Sequence, residues 1–261
     1  MIIHKDVDQE DVDISKRSRF QEARRISKEE GLKSLFFKLF LYFIYAPIMF
    51  IINVFSSIII FFKPKRFFFF RSKRLQYLYH RYNTTWKNER TVEVPIIMSY
   101  IKNTKNKRVL EIGDVLTHYY PVKLDILDKY ERGRKIINED VINFKPVNKY
   151  DFIISISTLE HVGFDEKVKD PTKIIKAINN LKENCLNPGG KAVITMPIGY
   201  NPQMDNLLFN HKLIFDEKIF LMRINKNNEW KEIPEQESKN IKYNHPFNAA
   251  NSVVIGIIEK Q

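Results

Sequence analysis

Residues 108–120 read RVLEIGDVLTHYY, and this stretch decides the fold. Val109, Leu110 and Ile112 form a short apolar run interrupted only by Glu111, and Gly113 closes it before a polar loop. Such a run is the pattern of a buried strand whose carboxyl end opens onto a crevice, where open α/β sheets hold their ligands. Four more apolar runs follow at 124–127, 135–138, 152–156 and 192–196. Between the last two, residues 171–186 carry Ile174, Ile175, Ile178, Leu181 and Cys185 at helical spacing. Strands alternating with a helical stripe predict a parallel sheet covered by helices.

Asp170 and Pro171 supply a cap and a first-turn proline for that helix, and Asn187-Pro188-Gly189-Gly190 stops it. Residues 205–213 read as a helix over the crevice, and 220–224 and 252–259 as the last two strands, the second ending the chain inside the sheet. Their pairing as an antiparallel edge brings the expected total to about seven strands.

A chain of 261 residues, 44% hydrophobic, suits one or two domains with a full core and excludes wholesale disorder. The formal charge of +12 is unevenly placed. Residues 1–90 hold 18 Lys/Arg and 9 Asp/Glu, a net +9, whereas 91–261 hold 25 and 22, a net +3. The basic excess therefore belongs to the amino-terminal third. A single cysteine, Cys185, excludes an internal disulfide, fits a reducing compartment and reads as a buried structural thiol.

Within that third, residues 1–38 form a basic, partly helical segment in which Ser27-Lys28-Glu29-Glu30 has the form of a capping box. Residues 39–62, LFLYFIYAPIMFIINVFSSIIIFF, contain no charge across 24 positions, enough for a helix to reach across a bilayer core. Basic residues flank the run on both sides and Pro47 interrupts it. Both a single span and a bent segment dipping into one leaflet stay open, with a soluble core helix as the plain alternative. Residues 63–90 read as a basic juxtamembrane linker, in which Phe67–Phe70 beside Arg71, Lys73 and Arg74 form an interfacial belt against anionic lipid. The folded domain is expected over 91–261.

Taken in order, Val109-Leu110-Glu111-Ile112-Gly113, Asp128, Asp140, the run 150–162 and Pro188-Gly189-Gly190 resemble the class I S-adenosylmethionine-dependent methyltransferases, over roughly residues 105–200. The resemblance implies a three-layer Rossmann-like sheet, mostly parallel with its last strand antiparallel, and S-adenosylmethionine as the cofactor. It also implies a cofactor site at Glu111, Gly113, Asp128, Asp140, Ser157 and Leu159. Glu111 and Gly113 match the family's strand end, although the usual second and third glycines are replaced within Asp114-Val115-Leu116-Thr117-His118. Asp128 takes the place of the carboxylate that accepts the two ribose hydroxyls, with Asp125 as the alternative register, and Asp140 that of the acceptor for the adenine amino group.

Thr158-Leu159-Glu160-His161-Val162 resembles the leucine-glutamate-histidine-valine element of small-molecule members, where His161 is placed to take a proton from a hydroxyl nucleophile. Methyl transfer requires no metal, only in-line positioning. Tyr200, Asn201 and His245 lie in the subfamily-specific loops and are the substrate-side candidates.

The expected activity is thus methylation of a glycan, lipid-linked sugar or other small acceptor by a membrane-associated domain facing the cytoplasm, with lipid contacts through 39–74. A non-catalytic scaffold of the same fold is the competing reading. A nucleic-acid acceptor is disfavoured, because the domain carries only +3 and Ser157-Thr158-Leu159-Glu160 stands where amino-methylating enzymes show an Asp/Asn-Pro-Pro-aromatic signature.

Overall fold

The computed structural model describes residues 55, 57, 58, 60–102, 104, 107–133 and 136–261. The chain divides into two compact units, one of Met1–Lys63 with Tyr130–Arg134, the other of Pro64–Lys129 with Lys135–Gln261. In the first, the exposed rings of Phe61 and Phe62 meet edge to face with centroids 5.3 Å apart. The charge-free run 39–62, apart from its last few residues, and the expected capping box at 27–30 lie outside the described residues. Among the described residues no helix is long and apolar enough to cross a membrane.

The second unit opens with a hairpin, β1 (Phe67–Phe70) and β2 (Lys73–Gln76), paired antiparallel. Alternation along β1 turns Phe68 and Phe70 inward, 3% and 2% exposed, and leaves Phe67 and Phe69 outward. The interfacial belt expected at 67–70 is therefore half core, and the compact unit begins at Pro64 instead of Thr91. Helix α1 (Arg90–Ile101) follows and holds Pro95 in its interior. Proline gives no amide to the helical ladder. The Thr91 carbonyl four residues earlier instead accepts the Leu78 amide at 3.0 Å, tying the chain leaving the hairpin to the helix.

The main sheet has eight strands: β3 (Val109–Ile112), β4 (Asp125–Leu127), β5 (Ile136–Ile137), β6 (Tyr150–Ile156), β7 (Leu186–Pro197), β8 (Glu217–Arg223), β9 (Trp230–Ile233) and β10 (Ser252–Glu259). Their order is β5-β4-β3-β6-β7-β10-β8-β9. The first five pair in parallel, while β10 runs antiparallel to both β7 and β8, and β9 antiparallel to β8. The carboxyl-terminal strand thus lies inside the sheet, as its near-continuous apolar run predicts. The edge falls to β9, a strand that the polar stretch around Asn227 and Asn228 does not advertise.

Each sheet face carries its own core. On one, Ile153, Ile194 and Val254 pack with Ile174 and Ile178 of α2 (Lys173–Asn180) and Met204 and Leu208 of α3 (Pro202–Phe209). On the other, Ile154, Val193 and Ile255 pack with Ile96 and Ile97 of α1 and with Phe68, Phe70 and Tyr77 of the hairpin segment. Cys185 is fully buried. Helix α2 starts at Lys173, two residues later than Pro171 suggested, because Asp170 spends its carboxylate on the Thr172 amide and hydroxyl at 2.9 and 2.7 Å.

Since Phe70 is 2% exposed within this core, Phe70→Ala should lower unfolding free energy by about 3–5 kcal/mol in denaturant titrations, the cost of a large cavity. A linker residue would give no change.

Candidate cofactor and acceptor crevice

The parallel strands deliver Glu111, Asp128 and Ser157 to one end of the sheet, at or just beyond the carboxyl ends of β3, β4 and β6. The loop after β3 is organised by Glu111 itself. This side chain is fully buried, and its Oε1 accepts the amides of Val115 and Leu116 at 3.1 and 2.8 Å, while Oε2 has no hydrogen-bond partner among the described residues. Burial raises its pKa to about 8. The loop is thus folded back onto its own carboxylate.

Gly113 adopts φ +82°, and a Cβ there would stand 2.5 Å from Thr158 Oγ1. The two loops that flank the crevice touch at a point only glycine permits. Stacking of Tyr82 on His118, with centroids 4.2 Å apart, and of His80 edge-on to Tyr119 closes the outer side of the 114–120 loop.

Ser157 sits at φ +38°, an uncommon conformation for a non-glycine residue. Its hydroxyl donates to Glu93 Oε1 at 2.6 Å and its carbonyl accepts from Arg90 Nη2 at 3.4 Å. Arg90 in turn pairs with Glu93 at 2.5 Å. Glu89, 7% exposed, accepts the Ala250 amide at 3.1 Å, and Glu160 is 1% exposed with Oε2 lacking a partner among the described residues. One guanidinium thus serves a buried neighbourhood of four carboxyl groups, Glu89, Glu93, Glu111 and Glu160. Burial raises the pKa of Glu160 and Glu89, the latter further through Glu93 beside it. Those same carboxylates overcome burial and keep Arg90 firmly charged.

His161, Asp165 and Tyr200 meet at the mouth. His161 Nδ1 and the Tyr200 hydroxyl both bond Asp165 Oδ2, the latter at 2.7 Å. Burial alone would raise the pKa of Asp165, but these two hydrogen bonds outweigh it and hold the carboxyl below its usual value. The rings of His161, Phe164 and Tyr243 pack edge-on to Tyr200 at 4.9, 5.9 and 5.2 Å. Gly199, at φ +83°, lets this wall close, because a Cβ would meet the Ile241 carbonyl and the Tyr243 amide at 2.5 Å.

The residues expected from the sequence divide accordingly. Glu111, Gly113, Asp128, Ser157, His161 and Tyr200 lie at the crevice end. Asp128 is half-buried, its amide bonded to the Ile137 carbonyl at 3.1 Å and its carbonyl to Asn138 Nδ2 at 3.0 Å. Asp125 lies at the opposite end of β4, bonded to Arg108 and the Tyr150 hydroxyl at 2.9 Å each.

Asp140 is engaged elsewhere. Lys173 Nζ bonds its Oδ2 at 2.6 Å, the Ile142 amide bonds its Oδ1 at 3.2 Å, and Lys129 and Glu166 complete the ion network. Leu159 is fully buried in the α2-side core. Asn201 caps α3, accepting the Gln203 and Met204 amides at 3.0 and 3.1 Å and donating to the Glu160 carbonyl at 2.8 Å. Its substrate-side assignment gives way to a structural one. His245 is exposed, and the ring that reaches Tyr200 is Tyr243, two residues earlier.

Sequence reasoning missed Arg90, Glu93 and Asp165. The i,i+3 spacing of Arg90 and Glu93 and the i,i+4 spacing of His161 and Asp165 were the available signals.

No family model matches the sequence, and no curated protein matches it. Solved structures similar to this chain include an S-adenosylmethionine-dependent methyltransferase from Archaeoglobus fulgidus, at 16% identity and a TM-score of 0.40, covering 69% of this chain and 98% of that one. A TehB-like methyltransferase from Corynebacterium glutamicum follows at 14% identity and TM-score 0.40, covering 65% and 87%. The N-methyltransferase NodS from Bradyrhizobium japonicum, bound to S-adenosylhomocysteine, has 15% identity and TM-score 0.37, covering 59% and 77%. These likenesses are coarse. The fold class rests on the chain's own strand order, a mostly parallel α/β sheet with an inserted antiparallel last strand.

Glu111 supplies a pH test of the crevice. Its folded pKa of about 8 lies above the ordinary glutamate value of about 4.3, so the fold favours the protonated acid. Its contribution is complete below about pH 4 and is lost as pH rises through about 8. Glu111→Gln should therefore stabilise the protein by on the order of 5 kcal/mol at high pH, with the difference vanishing toward pH 4, in paired melts across the range.

Proposed function

We propose that this chain is an S-adenosylmethionine-dependent methyltransferase, attached to the cytoplasmic face of a membrane and acting on a glycan, a lipid-linked sugar or another small acceptor. The observation that carries the reading is the conjunction at the end of β3: a buried Glu111 with one oxygen unpaired among the described residues, beside a glycine pressed against the loop after β6. An aminoacyl cofactor fits there. Its ammonium would satisfy the Glu111 carboxylate, and Asp128 at the end of β4 would receive the ribose diol.

Bound S-adenosylmethionine supplies an electrophilic methyl group on a sulfonium. The chain's own part is positioning and proton handling. With Nδ1 committed to Asp165, His161 presents Nε2 as the basic atom, 3.6 Å from Glu160 Oε1, and a proton leaving an acceptor hydroxyl passes to it. The ring wall of Phe164, Tyr200 and Tyr243 offers apolar faces that suit a sugar ring. The excess of buried carboxyl groups supports a neutral or cationic acceptor and disfavours a polyphosphate backbone. The charge-free run 39–62 supports attachment to a membrane, and the lone cysteine supports a cytoplasmic site.

A non-catalytic scaffold has one observation in its favour, the closure of Asp140 by Lys173, which removes the expected adenine acceptor. Calorimetric titration of the full chain with S-adenosylhomocysteine separates the two. Saturable binding is expected, weakened about tenfold or more by Asp128→Ala, which removes a bidentate acceptor. No binding at millimolar ligand would leave the scaffold reading standing.

The acceptor is addressed by incubating membranes carrying the protein with donor labelled in its methyl group. Label should enter the lipid-extractable or glycan fraction. Label confined to RNA or protein would overturn the acceptor assignment.

A further inference from the structure

A second cavity lies at the other end of the sheet. It encloses about 540 Å³ between the tip of the β1–β2 hairpin, the end of α1 and the starts of β6 and β7. Its floor is aromatic, with Phe70 and Phe152 buried and Tyr100 packed between them at centroid distances of 6.3 and 6.4 Å. Its rim is cationic, formed by Arg71, Lys73, Lys107 and Lys191.

Two of these cations are partly committed, Arg71 to Glu217 at 3.2 Å with Glu232 also beside it, and Lys191 to Glu259 at 2.7 Å. Lys73 and Lys107 are exposed; neither closes a salt bridge among the described residues, although the charge of Lys107 acts on Asp151. The one acid in the lining, Asp151, is already bonded by the Arg108 amide and Asn187 Nδ2 at 2.9 Å each, which hold its pKa down. It stays ionised, so the lining sets four cations against one carboxylate. This is the setting for a phosphate group that carries an apolar part.

The neighbouring surface indicates which phosphate. Phe67 and Phe69 stand outward on the hairpin, 41% and 64% exposed, and the Arg74 guanidinium lies 3.8 Å over the Phe67 ring. Aromatic rings interleaved with guanidinium and ammonium groups are the chemistry of a membrane interface. Only four residues along the sequence separate Phe67 from Phe62, the end of the charge-free run.

We propose that the hairpin tip and this cavity form a docking site for the phosphate headgroup of an anionic phospholipid. The site is separate from the crevice. Asp151 and Ser157 mark opposite ends of β6, about 20 Å apart at strand rise. Docking through the hairpin leaves the crevice at the far end of the strands, open to sugars that extend away from the headgroups. The inference rests on the membrane part of the proposed function and not on methyl transfer, and its readout is independent of the latter.

The test is acetylation footprinting of the full chain held in nanodiscs, with modification of Lys73 and Lys107 read by mass spectrometry. In discs of phosphatidylcholine containing about a quarter phosphatidylglycerol, both lysines should react about fivefold or more slowly than in phosphatidylcholine alone. The exposed Lys212 should react equally in both. Arg71→Gln, which removes a rim cation and leaves the hairpin backbone intact, should restore much of the rate in anionic discs. Equal rates in the two lipids, or no response to Arg71→Gln, would overturn the site. Equal protection by excess inorganic phosphate in neutral discs would overturn the headgroup as its occupant.

Discussion

The structure depends on one buried ion cluster. Arg90, at the start of α1, holds Glu93, and the pair grips the hydroxyl and carbonyl of Ser157 at the end of β6. Through these contacts the helical layer on one face is fixed to the point where the crevice loops spring from the sheet. A guanidinium suits the task because it stays charged under burial and offers several donors in a fixed fork. Removing one partner would leave an uncompensated charge in a desolvated site, which is far costlier than losing a surface pair. The strained backbone at Ser157 persists because both its polar groups are held.

The excess of carboxyl groups around that guanidinium links stability to chemistry. Burial in this cluster holds Glu111, Glu160 and Glu89 toward the neutral form. Glu111 and Glu160 each have an oxygen with no protein donor among the described residues. A ligand that brings a positive group or a hydrogen-bond donor relieves this frustration on binding. The crevice is accordingly built for a cationic or donor-rich ligand, and the basic cavity at the other end of the strands for an anion.

The parallel sheet was legible in the sequence because its strands are buried on both faces and read as apolar runs. The runs at 152–156, 192–196 and 252–259 fall on β6, β7 and β10. The hairpin was not legible, since four consecutive phenylalanines beside basic residues carry no visible alternation, and the inward or outward sense of each ring is a property of strand pairing alone. Edge strand β9 was missed for a related reason: a short edge strand with polar residues outward looks like a loop. Of the candidate site, Glu111, Gly113 and Asp128 were named by the family resemblance, and they lie at or just beyond the carboxyl ends of β3 and β4.

Asp140, Asn201 and His245 mark where that legibility ends. Whether a carboxylate is available to a ligand depends on what faces it, and Lys173, 33 residues away, faces Asp140. Whether an asparagine recognises substrate or caps a helix depends on where the next helix begins. By itself the sequence determined the order and burial of the strands, the glycine at the crevice and the unequal distribution of charge, because periodicity, side-chain size and charge are local properties. Only the tertiary structure decided the Arg90 cluster, the His161–Asp165–Tyr200 contact and the basic cavity under the hairpin. Each of these joins residues distant in the chain through distances of a few ångströms, and such distances exist only once the chain has folded.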